Sequence, residues 1–306
     1  MRDAIDAVRH AYIKVSAGAI EQPTRLALEG GSALAMLARD SGSGATVLKA
    51  LTIRPENPKW GRPAIQALVM LFDGASGTPA ALIDGTSLTA LRTGAASGVA
   101  TDLLAQRGAS TLGMIGAGAQ SADQIRAVCA VRGIREIRIS SRTAESAQNL
   151  VNRITGEFSG IHFVQARSIA EAIGEVDVIC TATPASAPLF RAEDLPPNVH
   201  VNAIGAFTPQ MCELPSELLC DARLVVVDEM AAAMTEAGDL LQAIRRGQLE
   251  VGSIKEIGKL LQNPPAPAGG WTVFKSVGIA AQDLEVAQLA VARAKASSLG
   301  VEVSGL

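Results

Sequence analysis

The stretch that begins near residue 110 constrains this chain more than any other feature. Short apolar runs alternate there with longer amphipathic ones. STLGMIG is followed by AQSADQIRAVCAVRG, IREIRISS by TAESAQNLVNRI, and IHFVQA by SIAEAIGEV. DVICTA, VHVNAIG and RLVVVDE continue the apolar series. The short runs, rich in Val and Ile, predict strands, and the longer periodic ones predict helices. Strand–helix–strand alternation closes through right-handed crossovers, so it predicts a parallel sheet with helices on both faces. Apolar residues make up 48% of the chain but aromatics only 3%, so the core must be built from Ala, Val, Leu and Ile. That suits strands buried on both sides.

The first part of the chain follows a different grammar. MRDAIDAVRHAYIKV places Ile5, Val8, Tyr12 and Val15 on one helical stripe. ALAMLAR, ATVLKALTI, AIQALVMLFD and PAALIDG then read as strands, with DGASGTP as a hairpin-type turn. Strands joined by tight turns pair antiparallel, so an antiparallel or mixed sheet is expected here. A helix starts near Thr86 or Ser87, and its Gly-, Ala- and Ser-rich middle permits close approach of another backbone. Near the end, TVFKSVGIA reads as a return strand and AAQDLEVAQLAVARAKASSLG as a long helix that packs back on the first sheet. The expected fold is α/β: a Rossmann-type doubly wound parallel sheet, residues 108–279, inserted in a second α+β domain, residues 1–107 plus 280–306.

Several function classes are excluded. The net charge of −3, without a basic run, argues against nucleic acid. No apolar run reaches the ~18 residues of a membrane span. The first helix lacks the apolar centre of a signal peptide, so a cytoplasmic location is expected. Cys129, Cys180, Cys212 and Cys220 lack metal spacing and read as reduced, buried thiols. His10, His162 and His200 are scattered, with no triad or zinc pattern, and no metal is expected.

GMIGAGAQSADQI carries the strongest chemical signal, because it ends a strand and opens a helix. Gly116 allows the tight turn and Gly118 lets the backbone approach a pyrophosphate, so Gly116, Ala117, Gly118, Ala119 and Gln120 are candidate cofactor contacts. Ser121 stands where the fingerprint has its third glycine, and a small residue there still permits close packing. NAD-binding chains place an acid about 20 residues further on, at the end of the second strand. Here the stretch is RISSRTAES, which supplies Ser141, Arg142 and Thr143 instead. A guanidinium can fork onto a 2′-phosphate, so NADPH is preferred, with NADH as the alternative. CTATPASAP follows the fourth strand at the carboxyl edge, where ligands bind, and makes Thr181 and Thr183 further cofactor candidates.

Lys49 interrupts an apolar strand, where a charge is costly unless paired or functional. An edge-strand lysine is the competing reading. Arg92, in the small-residue helix, and Arg25, in EQPTRLAL, are similarly ambiguous.

Taken together these pieces resemble the ornithine cyclodeaminase/μ-crystallin family along nearly the whole chain. The carrying segments are LKALTIRPENPKWGRPAIQALVMLFDGASGTPAALIDG, TALRTGAASGVAT, GMIGAGAQS, SSRTAESA, CTATPASAP, VNAIGAFTPQMCEL, VVVDEMAAAMTEAGDLL and FKSVGIAAQD. The resemblance implies a homodimer with a Rossmann domain inserted in a substrate-binding and dimerisation domain. It places Arg25, Lys49 and Arg92 on the substrate's α-carboxylate, with Arg92 and Thr93 also beside the cofactor. It places Glu236, with Asp239, near the cleft; both acids could equally start the following helix. Where cyclodeaminases carry an aspartate two residues before a proline, this chain has Phe207. Phe cannot act as a base or hold an ammonium, and it suits a cyclic imine ring. The implied activity is NAD(P)H-dependent reduction of a small cyclic α-imino acid: Δ1-pyrroline-2-carboxylate to L-proline, or Δ1-piperideine-2-carboxylate to L-pipecolate. Lys49 or a water would supply the proton. An alanine-type dehydrogenase, an ornithine or lysine cyclodeaminase, and a non-catalytic NADPH and small-ligand binder are the alternatives.

Overall fold

Strands and helices follow the expected order in the computed structural model, which describes residues 1–28 and 31–303. The last three positions of the expected first domain, 304–306, lie outside the described residues. Helix α1 (Arg2–Ser16) buries Ala4, Ile5, Val8, Ala11 and Tyr12, the stripe its spacing dictates. Then come β1 (Ile20–Glu21), β2 (Leu26–Ala27), β3 (Ala33–Asp40), β4 (Thr46–Ile53), β5 (Ile65–Phe72) and β6 (Pro79–Asp84). They pair antiparallel in the order β1-β3-β4-β5-β6, and β2 also pairs with β3. Strands β1 and β2 are two residues each, too short for periodicity to reveal.

Parity along these strands decides which way each side chain points. Met36, Lys49, Val69 and Ile83 form one row across the sheet. Leu37, Leu48, Met70 and Leu82 form the adjacent row and therefore face the opposite side. The final helix, α10 (Ala280–Ala296), lies across β3, β4 and β5. Lys49 is fully buried, whereas Leu37 and Leu82 are 44% and 54% exposed. The sheet thus has one covered face and one bare, apolar face.

Helix α2 (Gly85–Leu104) leads into β7 (Thr111–Ile115), α3 (Ser121–Val131), β8 (Glu136–Ser140), α4 (Ala144–Ile154), β9 (His162–Gln165), α5 (Ile169–Ile173) and β10 (Val178–Thr181). After these come β11 (His200–Ala203), α6 (Ser216–Asp221), β12 (Leu224–Val227), α7 (Met230–Glu236), α8 (Gly238–Arg245), β13 (Lys255–Glu256), α9 (Ile257–Gln262) and β14 (Thr272–Lys275). The eight strands pair in parallel in the order β13-β12-β14-β11-β10-β7-β8-β9. Its core packs Leu112, Met114, Ile137, Ile139 and Val178 against Ile125, Val128 and Leu150 of α3 and α4.

The chain divides into two compact units, Asp3–Arg92 with Ile279–Leu306, and Met1–Arg2 with Thr93–Gly278. One division falls inside α2. Its second half packs within the parallel-sheet unit: a methyl group on Gly94 would come within 2.4 Å of the Asp123 carbonyl of α3. The small residues in this helix are what permits that approach. Arg132 secures the helix end by donating to the carbonyls of Thr101, Asp102, Ala105 and Gln106.

His200 lies buried in β11 between Thr272 (2.9 Å) and Asn202 (3.1 Å), and burial pulls its pKa down to about 4. The expectation that all four thiols are buried needs two corrections, the first being that Cys129 in α3 is only partly buried. Cys220 is exposed near the end of α6, whose buried face carries Leu218 and Leu219 instead. Among the described residues, no helix is long and apolar enough to cross a membrane.

Candidate active-site residues

The glycine loop joins β7 to α3. Gly116 adopts φ +104, and a methyl group there would come within 2.5 Å of the Ala182 carbonyl. Only glycine satisfies both conditions. Gly118 and Ala119 are exposed, and open space surrounds the Gly118 Cα, so an incoming ligand can reach the backbone. Gln120 precedes α3, and its side chain does not cap the helix. Ser121 is fully buried and donates to the Gly116 carbonyl at 3.0 Å, closing the turn from inside. A positive-φ turn, an open glycine and an 11-residue helix starting beside them fit a pyrophosphate.

The end of β8 presents Ser141 half-buried and Arg142 exposed. Thr143 is the N-cap of α4, and its hydroxyl oxygen accepts from the Ser146 N–H at 3.2 Å. No acid stands between Ser140 and this cap. A groove of about 470 Å³ runs beside this corner, lined by Ala117, Ser146, Asn149, Asn152 and Arg153. At the end of β10, Thr181 is fully buried and gives its hydroxyl to Glu213, while Thr183 is half-buried beyond it. Phe207 is half-buried in the loop after β11. Glu236 is buried at the end of α7. Asp239 is buried in the first turn of α8 and accepts from the Glu213 and Leu214 N–H groups.

The basic cluster belongs to the other unit. β4 lies between β3 and β5, so Lys49 is not an edge-strand lysine. Its ammonium donates to Asp283 Oδ2 at 2.7 Å, and both side chains are fully buried. Arg92 reaches the same carboxylate, Nε to Oδ1 at 3.3 Å, and donates through Nη1 to Gln282 Oε1 at 2.7 Å. Gln282 donates in turn to the Tyr12 hydroxyl at 2.6 Å. Thr93, next along α2, is buried. Arg25 is half-buried and near enough to act on Lys49 through its charge. Burial, then the Arg92 charge, pull the Lys49 pKa down to about 7; Asp283 opposes them and Arg25 adds to them. Two buried cations therefore share one carboxylate, an arrangement with capacity for a second anion.

Asp283 and Gln282 do not stand out as site residues in the sequence. They sit in the first turn of α10, where an acid is ordinary. The available signal was Lys49 itself: a buried ammonium in an apolar strand requires a partner.

Comparison with known proteins places these features in context. The profile of the ornithine cyclodeaminase/mu-crystallin family matches residues 1–298. A Delta(1)-pyrroline-2-carboxylate reductase of Bacillus cereus is 41% identical over 279 residues, covering 90% of this chain and 85% of that protein. The structure of the Thermococcus litoralis Delta(1)-pyrroline-2-carboxylate reductase in complex with NADH and L-proline superposes with a TM-score of 0.93 at 32% identity, covering 99% of this chain and 96% of that one. An archaeal alanine dehydrogenase dimer with bound NAD gives a TM-score of 0.90, also at 32% identity, covering 100% and 95%.

Proposed function

The chain belongs to the ornithine cyclodeaminase/mu-crystallin family, and from that premise we propose that it is an NADPH-dependent reductase of cyclic α-imino acids. Δ1-Pyrroline-2-carboxylate, giving L-proline, is the principal substrate, and Δ1-piperideine-2-carboxylate is the six-membered alternative. The observation that carries this reading is the buried Lys49–Asp283–Arg92 cluster, with more positive charge than its one acid neutralises.

Each unit supplies one half of the requirement. In the first, Arg92 and Lys49 hold the α-carboxylate, with Arg25 adding positive charge. Asp283 keeps the two buried cations oriented before the substrate arrives. A guanidinium fork fixes the plane of a carboxylate, which a lone ammonium cannot do. In the second, the Gly116–Gln120 turn and the start of α3 hold the pyrophosphate. Ser141, Arg142 and the cap at Thr143 receive the 2′-phosphate. NADPH, when bound, supplies the hydride. Phe207 offers the imine ring a flat apolar surface and no carboxylate, which disfavours ammonium-releasing chemistry. Lys49, with its pKa near neutrality, is the group that can hold and release a proton at working pH. The bare row Leu37, Leu48, Met70 and Leu82 is the face we assign to a second copy, making the protein a homodimer.

The assay is direct. Protein of two-chain mass by light scattering is mixed with NADPH and each imine. Stoichiometric proline or pipecolate, without an ammonia requirement, is the expected result. Turnover only with pyruvate plus ammonia, or ammonia release from ornithine, would replace this reading with a dehydrogenase or a cyclodeaminase.

A pH series isolates the carboxylate-holding role from the chemistry. Cyclopentanecarboxylate has no ring nitrogen to titrate. Lys49 loses its proton as pH rises through about 7, and an anion then meets a neutral amine. The inhibition constant should therefore be flat below that pH and rise by up to about tenfold per unit above it. Lys49→Met should bind the inhibitor weakly and without this slope. A flat profile in the parent protein would remove Lys49 from the carboxylate site.

A further inference from the structure

Glu213 lies between β11 and α6, and its carboxylate is fully buried. Its oxygens accept five hydrogen bonds. Oε1 takes the Thr183 N–H at 2.7 Å and the Thr183 hydroxyl at 2.8 Å. Oε2 takes the Thr181 hydroxyl at 2.9 Å, the Gly205 N–H at 2.8 Å and the Ala206 N–H at 3.2 Å. One side chain thus ties together the carboxyl ends of β10 and β11.

A second layer fixes Glu213. Asp239 Oδ1 accepts the N–H of Glu213 at 2.5 Å and that of Leu214 at 2.8 Å. Its other oxygen pairs with the Lys275 ammonium at 2.9 Å. Lys275, at the end of β14, donates to the Ala206 carbonyl at 2.5 Å. Three strand ends are therefore locked by three fully buried ionisable side chains. Burying such groups is expensive, and apolar packing would hold ordinary loops as well. Burial pushes the Glu213 carboxyl up, with Lys275 opposing and Asp239 reinforcing the shift. The donors facing both oxygens match the carboxylate form, since a protonated oxygen would meet another donor.

The loops held this way form the carboxyl edge of the sheet, where doubly wound folds bind their ligands. They also abut the glycine turn, because Gly116 packs on the Ala182 carbonyl. We propose that Glu213 is a positioning residue that sets the Thr183 and Gly205–Ala206 backbone as the seat of the cofactor's nicotinamide half. This rests on the reductase reading. Binding of the adenosine half depends on the Gly116–Gln120 turn and Arg142 and is independent of Glu213.

Glu213→Gln tests this with little change of shape. An amide keeps one acceptor and turns its NH2 toward the remaining donors. With its oxygen on the Thr181, Gly205 and Ala206 groups, the NH2 confronts the Thr183 N–H and displaces that loop. The expected result is a fall in kcat of about 100-fold, with a larger isotope effect from 4-deuterated NADPH. Affinity for adenosine 2′,5′-bisphosphate should stay within about threefold of the parent protein, because that probe lacks the displaced half. Glu213→Asp, which keeps the charge, should recover part of the loss. An unchanged kcat, or a parallel fall in bisphosphate affinity, would overturn the proposal. If Glu213→Gln does not fold, Thr183→Val deletes one hydroxyl donor and should give the same split at about tenfold; no split would overturn the proposal equally. The nicotinamide fluorescence of bound NADPH separates the two readings. If the parent protein reduces no imine, the reductase reading fails. A spectrum shifted by Glu213→Gln would still support the positioning role, and identical spectra would refute it.

Discussion

Arg92→Met should lower kcat/KM for the imine by about 1,000-fold, because it removes the fork that orients the carboxylate inside a buried site. Most of the loss should be functional rather than structural. Asp283 keeps its 2.7 Å contact with Lys49, and Gln282 Oε1 still accepts from the Ile279 N–H at 3.3 Å. Asp283 Oδ1 does lose its 3.3 Å ion-pair partner, so the melting temperature should fall by a few degrees while the protein stays folded. Arg92→Lys keeps the charge but not the planar geometry and should remain about 100-fold impaired. Steady-state kinetics on folded protein, checked by circular dichroism and a thermal melt, measures both. Activity of Arg92→Met within tenfold of the parent protein would mean that the carboxylate is held elsewhere.

The second large effect concerns the cofactor. Arg142→Ala should raise KM for NADPH by about thirtyfold and leave KM for NADH within about threefold, since only the former carries a 2′-phosphate. The guanidinium is exposed, so added salt should narrow the gap between the two cofactors in the parent protein. Equal effects on both cofactors would assign Arg142 to the pyrophosphate or to folding. No effect on either would leave the 2′ position to the neighbouring hydroxyls and to Arg153, which lines the adjacent groove.

The fold was largely legible because it is written in periodicity. The four long strands of the first sheet and the alternation after residue 110 emerge from patterns a few residues wide. The two-residue strands β1, β2 and β13 have no period to read. The candidate site was legible where geometry is local. Gly116 is such a case, since a sharp turn at a strand end admits little else. It was opaque where the partner is remote. Lys49 could be recognised as anomalous, but whether its strand lay at an edge depended on pairings that parity alone does not fix. Lys275 is the same anomaly in TVFKSVGIA, and there too the acid that balances it, Asp239, comes from a different segment. Thr143 and Thr181 show the converse. A hydroxyl at a strand end suggests a ligand contact, and the sequence does not show that in the fold one also caps a helix and the other also serves a buried carboxylate.

The 234 residues separating Lys49 from Asp283 have a consequence for biosynthesis. At roughly 5–20 residues per second, the ribosome delivers the acid on the order of ten to fifty seconds after the amine. Throughout that interval the nascent first sheet has neither its covering helix nor its counter-ion, while the parallel-sheet unit can already complete itself. The polypeptide is therefore born with its parallel-sheet unit first and its antiparallel-sheet unit last, and the apolar row on the waiting sheet is the surface that chaperones have reason to guard.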